Sequence, residues 1–183
     1  MKSLILGGIR SGKSRYAAEL ARAQARPVTL IATARILDEE MAARIEAHRM
    51  SRPPDWILVE EPTRLAAALS ENASPTRTVI VDCLTLWLTN LLCNEDAQAL
   101  KRESDLLLDV FPTLSGSCVL VSNEVGFGII PVNALARRFA DEAGVLHQQL
   151  AAMCDSVVLM AAGLPMTLKA PQAPPPHGRA GIP

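Results

Sequence analysis

A glycine-rich loop near the start of the chain restricts the possible folds of this protein more than any other part of the sequence. Residues 7–14 read GGIRSGKS and match the pattern G-x-x-x-x-G-K-[ST], with the apolar run SLIL before it and a helical pattern after it. In such a loop the backbone N–H groups surround phosphate oxygens, and the start of the next helix adds partial positive charge. The motif therefore predicts a nucleotide site, with Lys13 at the β- and γ-phosphates and Ser14 as a ligand of Mg²⁺. The alternative is a glycine-rich turn that binds nothing.

The rest of the chain alternates between short apolar runs and longer helical patterns. The runs are rich in β-branched residues and are predicted strands at residues 3–6, 28–33, 56–61, 78–82, 118–123 and 156–162. Continuous apolar strands suit a sheet that helices cover on both faces, and strand–helix alternation favours a mainly parallel sheet. We expect an α/β P-loop NTPase fold in a single domain. A last edge strand is predicted at residues 166–169, across a turn formed by Gly163, Leu164 and Pro165.

Composition limits the domain count and the classes of partner. A length of 183 residues fits one domain, and a net charge of −1 argues against a general nucleic-acid or polybasic membrane module. We expect no secretory signal, because the first apolar run, at residues 4–6, stops at two glycines. We expect no membrane span, because no apolar run approaches the roughly 18 residues that a span needs. The four cysteines form no CxxC pair, which suits reduced thiols in the cytoplasm. The expected domain covers residues 1–170, and the Pro-rich residues 171–183 are expected to form a disordered tail.

Two carboxylates follow predicted strands. Asp82 closes TVIVD, where a P-loop protein takes a carboxylate for its Mg²⁺ site, although it could instead cap a helix that begins at Leu84. Glu124 follows CVLVSN and could orient a hydroxyl nucleophile, hold a metal-bound water or start a turn. The GFG sequence after it, with Pro131, predicts a flexible loop over the crevice where open α/β sheets bind ligands.

The lysine pattern argues against a switch GTPase. Such proteins recognise guanine through an N/T-K-x-D loop, and Lys101 is the only lysine between Lys13 and Lys169. Its neighbours, Leu100 and Arg102, do not fit that loop. The only DxxG string of interest, at residues 141–144, lies within a helical pattern.

A histidine stands among arginines in the helical pattern at residues 38–49. Arg44 and His48 are four residues apart and share a helix face, Arg49 adjoins them, and Arg52 would continue the face if the helix reached it. Nearby positive charge disfavours protonation of the imidazole, and a neutral imidazole is a nucleophile. His48 is therefore a candidate for covalent catalysis, with a surface histidine as the alternative.

Four blocks of the sequence carry a resemblance to one family. They read GGIRSGKSRYAAELA, IATARILDEEMAARIEAHRMSRP, VIVDCLTLWLTNLL and LVSNEVGFGIIPVNALARRFADEAGVLHQQLA. In these blocks, over residues 2–169, the chain resembles the bifunctional adenosylcobinamide kinase/adenosylcobinamide-phosphate guanylyltransferases of cobalamin biosynthesis.

The resemblance implies two reactions on one RecA-like, mainly parallel sheet flanked by helices. ATP or GTP phosphorylates adenosylcobinamide, and GMP from a second GTP then passes through a histidine to adenosylcobinamide phosphate, giving adenosyl-GDP-cobinamide. His48 matches that histidine, and position 47 is Ala where related sequences can carry a second one. The resemblance also implies a homotrimer. Nucleotide contacts carry over to these positions: Gly7, Gly8, Ile9, Arg10, Ser11, Gly12, Lys13, Ser14, Ala32, Thr33, Ala34, Arg49, Met50, Ser51, Arg52, Glu60 and Asp82.

Two other functions stay open at this point. One is a P-loop small-molecule kinase without guanylyl transfer, and the other is a GTP-binding regulatory protein without turnover. Because His48 is distant from Lys13 in the sequence, one nucleotide pose does not obviously serve both reactions. We therefore expect either movement of the helix around His48, with a hinge at residues 35–37, or two nucleotide poses.

Overall fold

A single sheet organises the part of the chain that the structure describes, which is residues 1–35, 39, 46 and 53–171 of a computed structural model. Within these residues the sheet has seven strands in the order β3-β2-β4-β5-β1-β6-β7. Six of the strands run parallel, and β7 is antiparallel to β6. The strands are β1 Lys2–Gly7, β2 Val28–Ala32, β3 Ile57–Glu60, β4 Thr78–Asp82, β5 Ser117–Val121, β6 Ser156–Ala161 and β7 Leu164–Lys169.

Among the described residues, helices connect the parallel strands from β1 to β2 and from β3 through to β6, as the alternating pattern predicts. They are α1 Lys13–Ala23, α2 Leu65–Asn72, α3 Leu84–Leu92, α4 Ala99–Val110, which a short 3₁₀ turn at Phe111–Thr113 extends, and α5 Ala134–Met153. The predicted helix around His48 lies outside the described residues, apart from Glu39 and Glu46. No described helix is long and apolar enough to cross a membrane.

The strands are apolar throughout because helices bury both faces of the sheet. Leu4 and Leu6 of β1 belong to one core cluster, with α2, α3, α4 and α5, while Ile5 belongs to the other, with α1. On the α1 side the buried apolar residues of the helix are small, Ala17 and Ala21, and Tyr16 and Leu20 pack against the same cluster from partly buried positions. The predicted α/β class, with a mainly parallel sheet flanked by helices, is confirmed.

The predicted turn before the last strand is wrong in its position. The turn lies at Ala162 and Gly163, both of which have positive φ, and Leu164 already pairs with Ala161. Pro165 is therefore part of β7, which an edge strand tolerates because its outer side needs no N–H donor. The sequence pattern misplaces the turn because Pro usually marks one.

The sheet register places several predicted site residues at one edge. Ala32 at the end of β2 pairs with Glu60 on β3 and with Asp82 on β4. Asp82 in turn pairs with Val121 on β5, the strand that lies beside β1 and its phosphate loop. This carboxyl edge is where ligands bind in open parallel sheets.

Candidate active site

The phosphate loop leaves β1 at Gly7 and enters α1 at Lys13. A Cβ atom at Gly7 would lie 2.5 Å from the carbonyl oxygen of Met160 and 2.6 Å from Ser11 Oγ, so only glycine fits there. Gly12 precedes the helix with φ of 97°, in the left-handed region that other residues avoid. The loop is held in place by hydrogen bonds from Ser11 N to Gly8 O and from Gly163 N to Ser11 O.

Lys13 lies across this loop in a largely buried position, with 8% of its surface exposed. Its ammonium group donates to Gly8 O at 2.6 Å. Burial lowers the pKa of Lys13, and the negative charge of the nearby Asp82 carboxylate opposes that shift. Residues 10–15 line an open cavity of about 250 Å³. A charged phosphate in this cavity would be a stronger partner for the ammonium group than the neutral carbonyl.

Ser14 lines this cavity, and Asp82 lies near enough to Lys13 for its charge to act on that ammonium group. Ser14 is the second residue of α1, and Asp82 is the last residue of β4. The N-cap position of α3 is occupied by Cys83, whose side chain makes no capping bond, so Asp82 does not cap that helix. Hydroxyl and carboxylate oxygens are ligands that Mg²⁺ prefers, and the ion needs few of them because it keeps waters and binds phosphates. The two residues therefore fit the predicted Mg²⁺ site.

The chain after Asp82 is fixed by Thr33. This residue is fully buried, and its hydroxyl donates to Cys83 O at 2.7 Å and accepts from Cys83 N at 3.0 Å. Its backbone N–H donates to Asp82 O, and its carbonyl accepts from the amide of Asn90 on α3. The Thr33 side chain is thus engaged within the protein, and the residue lies next to Asp82, while its predicted contact with the nucleotide stays a prediction. Burial also raises the pKa of the Cys83 thiol.

Glu124 is bonded directly to the phosphate loop. Its backbone N–H donates to Gly7 O at 2.9 Å, and its carboxylate atom Oε1 accepts from Gly126 N at 2.6 Å. The carboxylate therefore bonds within the bend that follows Glu124, as one of the alternatives for this residue requires, while its backbone is tied to the phosphate loop. The segment that follows exposes several large apolar side chains, namely Phe127, Ile129, Ile130 and Val132.

A buried histidine behind Glu124 was missed by the sequence analysis. His147 on α5 contacts Ser122, which follows β5, with 2.8 Å between Nε2 and Oγ. Its other ring nitrogen, Nδ1, lies 3.9 Å from Oε2 of Glu124. Burial lowers the pKa of His147, and the charge of Glu124 opposes this shift. The sequence spacing does not predict that His147, within α5, lies beside Ser122 and Glu124 after β5. This contact is visible only in the folded structure.

The other predicted residues divide into two sets. Ala32 pairs with Asp82, Ala34 follows two residues later, and Glu60 is exposed at the end of the edge strand β3. The predicted residues around the candidate nucleophile lie outside the described residues, namely His48, Arg49, Met50, Ser51 and Arg52.

Comparison with known proteins identifies the family. The sequence profile of the family described as cobinamide kinase / cobinamide phosphate guanyltransferase matches residues 3–168. The chain belongs to this family. It is 52% identical over 169 residues to the bifunctional adenosylcobalamin biosynthesis protein CobP of Pseudomonas aeruginosa, a match that covers 92% of this chain and 98% of that protein. It is 40% identical over 182 residues to the corresponding protein CobU of Escherichia coli, covering 92% and 100%.

Membership of the cobinamide kinase / cobinamide phosphate guanyltransferase family confirms the resemblance drawn from the four sequence blocks. It also confirms the prediction of a bifunctional transferase of cobalamin biosynthesis at the level of the family. Among solved structures, a RadB recombinase is similar with 16% identity and a TM-score of 0.49, covering 86% of this chain and 73% of that one. A structural likeness of this size carries no conclusion about activity.

Proposed function

We propose that the chain phosphorylates adenosylcobinamide with ATP or GTP and then transfers GMP from GTP to adenosylcobinamide phosphate. The products of the second step are adenosyl-GDP-cobinamide and pyrophosphate. In a chain of this family, the observation that supports the proposal most is the hydrogen bond between Glu124 N and Gly7 O. It ties the backbone of Glu124, a residue that carries a carboxylate beyond the end of β5, to the loop that would hold the phosphates.

In the kinase step, the loop and its lysine hold the nucleotide while the substrate hydroxyl attacks. Backbone N–H groups of residues 7–14 and the Lys13 ammonium would bind the β- and γ-phosphates. The hydroxyl oxygen of the aminopropanol arm forms a bond to the γ-phosphorus, and the bond from that phosphorus to the leaving nucleoside diphosphate breaks. Glu124, beside the loop, is the candidate carboxylate that orients this hydroxyl and accepts its proton. Holding both reactants in place supplies much of the acceleration.

The Mg²⁺ ion of this reaction is assigned to the Ser14 hydroxyl and the Asp82 carboxylate. When bound there, it would offset negative charge on the nucleotide phosphates. Asp82 is held in place by the bonds that Thr33 makes around it, from Thr33 N to Asp82 O and from the Thr33 hydroxyl to Cys83.

In the guanylyl transfer, His48 is the proposed nucleophile. An imidazole nitrogen attacks the α-phosphorus of GTP, and pyrophosphate leaves. A phosphate oxygen of adenosylcobinamide phosphate then attacks the same phosphorus, the P–N bond breaks, and the histidine is restored. Residues 49–52 supply the predicted nucleotide contacts beside it, with Ala32, Ala34 and Glu60 at the sheet edge. The helix around His48 is proposed to move between the two reactions, about residues 35–37.

The proposed enzyme is a homotrimer in the cytoplasm. Two exposed apolar surfaces support subunit contacts, one on the loop after Glu124 and the other on β7 at Leu164, Met166 and Leu168.

All four cysteines are free thiols, which suits a reducing compartment. Burial raises the pKa of Cys118 and of Cys154 to about 12, so neither is a reactive thiolate.

The proposal is tested by supplying adenosylcobinamide, Mg²⁺ and GTP and following both products by chromatography. The wild-type chain should form adenosylcobinamide phosphate and then adenosyl-GDP-cobinamide. Lys13→Ala should abolish both products, and His48→Ala should abolish the second while largely keeping the first. Lys101→Ala is the control, because Lys101 is an exposed lysine that pairs only with Asp105 on its own helix among the described contacts.

Other results would favour the other functions. Phosphorylation by the wild-type chain without any guanylyl transfer would identify a small-molecule kinase. Tight GTP binding without either product would identify a regulatory protein. Equal loss of both activities in His48→Ala would contradict a separate role for that residue.

A further inference from the structure

A polar pair is buried between the end of β5 and the middle of α5. His147 is 6% exposed and Ser122 is fully buried. The neighbouring buried positions of α5 are apolar, at Ala143, Leu146 and Leu150. Burying polar groups costs free energy unless they are hydrogen-bonded, and the 2.8 Å contact between Nε2 and Oγ satisfies this pair. Apolar residues would fill these two positions equally well if packing were their only role. The presence of Ser122 and His147 therefore calls for another explanation.

The surroundings select one tautomer of His147. If Nε2 carried the proton, the lone pair of Nδ1 would face the Glu124 carboxylate at 3.9 Å, which is repulsive. If Nδ1 carries the proton, the Ser122 hydroxyl donates to Nε2 and the Nδ1–H points toward the carboxylate. Burial, which lowers the pKa of His147, keeps the ring neutral in this arrangement.

The Glu124 carboxylate thereby has a neighbour on each of two sides, a hydrogen-bond donor at Oε1 and, 3.9 Å from Oε2, the Nδ1–H of His147, which attracts it electrostatically from beyond hydrogen-bond distance. Oε1 accepts from Gly126 N, and Oε2 faces Nδ1 of His147. The Glu124 side chain is 18% exposed, so it stays open to a ligand on one side. Its backbone is tied to Gly7 of the phosphate loop.

We propose that His147 and Ser122 are positioning residues for the kinase step, which hold the Glu124 carboxylate in the orientation that receives the substrate hydroxyl. This inference rests on the proposed kinase role of Glu124. The three side chains have the order of a serine–histidine–acid triad, but the hydroxyl of Ser122 is fully buried and cannot meet a substrate. The acid is the reacting group, and the other two act through it.

A double-mutant cycle on the full-length chain tests the proposal. The variants are Glu124→Gln, His147→Phe and the two combined, measured for phosphorylation of adenosylcobinamide and for transfer of GMP to the protein. Glu124→Gln should lower the kinase kcat about 100-fold, and His147→Phe about 10-fold, with the nucleotide KM unchanged. The combined variant should be no slower than Glu124→Gln, because His147 acts only through that carboxylate. GMP transfer to the protein should stay within about twofold of wild type in all three.

A conservative variant and a packing control separate positioning from stability. His147→Asn places an N–H donor where Nδ1 lies and should keep the kinase kcat within about threefold of wild type. Leu146→Ala disturbs the same face of α5 without touching the pair, and its effect should multiply with that of Glu124→Gln. If His147→Phe does not fold, Ser122→Ala takes its place in the cycle.

Each contrary result has a distinct meaning. A kinase kcat unchanged in His147→Phe, beside a slow Glu124→Gln, would overturn the positioning role and leave the role of Glu124 intact. A combined variant slower than Glu124→Gln by the full His147→Phe factor would also overturn it, as would equal losses of both activities. A wild-type rate in Glu124→Gln would instead refute the proposed role of Glu124 itself.

Discussion

Two glycines and a lysine give the phosphate loop its shape and charge. Gly7 lies where the Met160 carbonyl leaves no room for a side chain, and Gly12 adopts a backbone conformation that glycine favours. Both requirements follow from the path of the backbone, which is why a short motif predicts them. The position of Lys13 over the loop is equally local, five residues from the carbonyl that it contacts.

Alanine at Gly7 is predicted to destabilise the chain, because its Cβ would meet two atoms at 2.5 and 2.6 Å. We expect a loss of about 2–3 kcal/mol in the free energy of unfolding and a weaker affinity for GTP. Gly144→Ala is the matched control, since Gly144 lies within α5 and a Cβ there meets nothing within 4 Å. That change should stabilise the chain by about 0.5–1 kcal/mol. Urea unfolding of both variants measures these changes. An equal change in the free energy of unfolding in the two variants would refute the steric account.

At the scale of elements, the sequence pattern predicts the strands and helices well because both faces of the sheet are buried. The helix that could begin at Leu84 is α3, and the strands predicted at 78–82 and 156–162 differ from β4 and β6 by one residue at most. The exception is β7, where Pro165 suggested a turn although Ala162 and Gly163 form it. The contact between β5 and α5 through Ser122 and His147 was not predictable, since it depends on how two distant elements pack.

This strand–helix contact predicts a dependence of stability on pH. The pKa of His147 is lowered in the folded chain from its ordinary value of 6.5. As the pH falls through about 6.5, the unfolded chain binds a proton at this histidine more readily than the folded chain does. Acid therefore favours unfolding. The stabilising contribution is fully present above that pH and is lost progressively below it. In His147→Phe the fall in unfolding free energy between pH 7.5 and about 5.5 should be smaller than in wild type. Parallel pH profiles of the two proteins would contradict this prediction.

On the scale of the whole molecule, the candidate site is formed by residues at the ends of several strands of one sheet. Sequence motifs identify the phosphate loop, Asp82 and Glu124, and the register then brings their strands to one edge. The pairing of Thr33 with Cys83 and of His147 with Ser122 depends on the closed fold, so the sequence alone does not reveal it. The assignment of substrates comes from the family, because no described residue identifies a corrinoid by itself.

The Pro-rich segment after the domain is predicted to be dispensable. The family match ends at residue 168, and β7 ends at Lys169, whose ammonium group is bonded to the end of α5. Truncation after Ala170 therefore removes none of the described sheet. We expect both activities and the melting temperature to match those of the full-length chain. A loss of either activity in the truncated chain would assign the segment a role in the site or in assembly.

The most direct test of the account uses GTP labelled at the α-phosphate. The chain is incubated with it and Mg²⁺, denatured, and examined for covalently bound label. The account predicts label that survives alkali, is released by acid and is absent from His48→Ala, as a phosphoramidate on that histidine requires. An unlabelled wild-type protein that still phosphorylates adenosylcobinamide would contradict the account and leave a kinase alone.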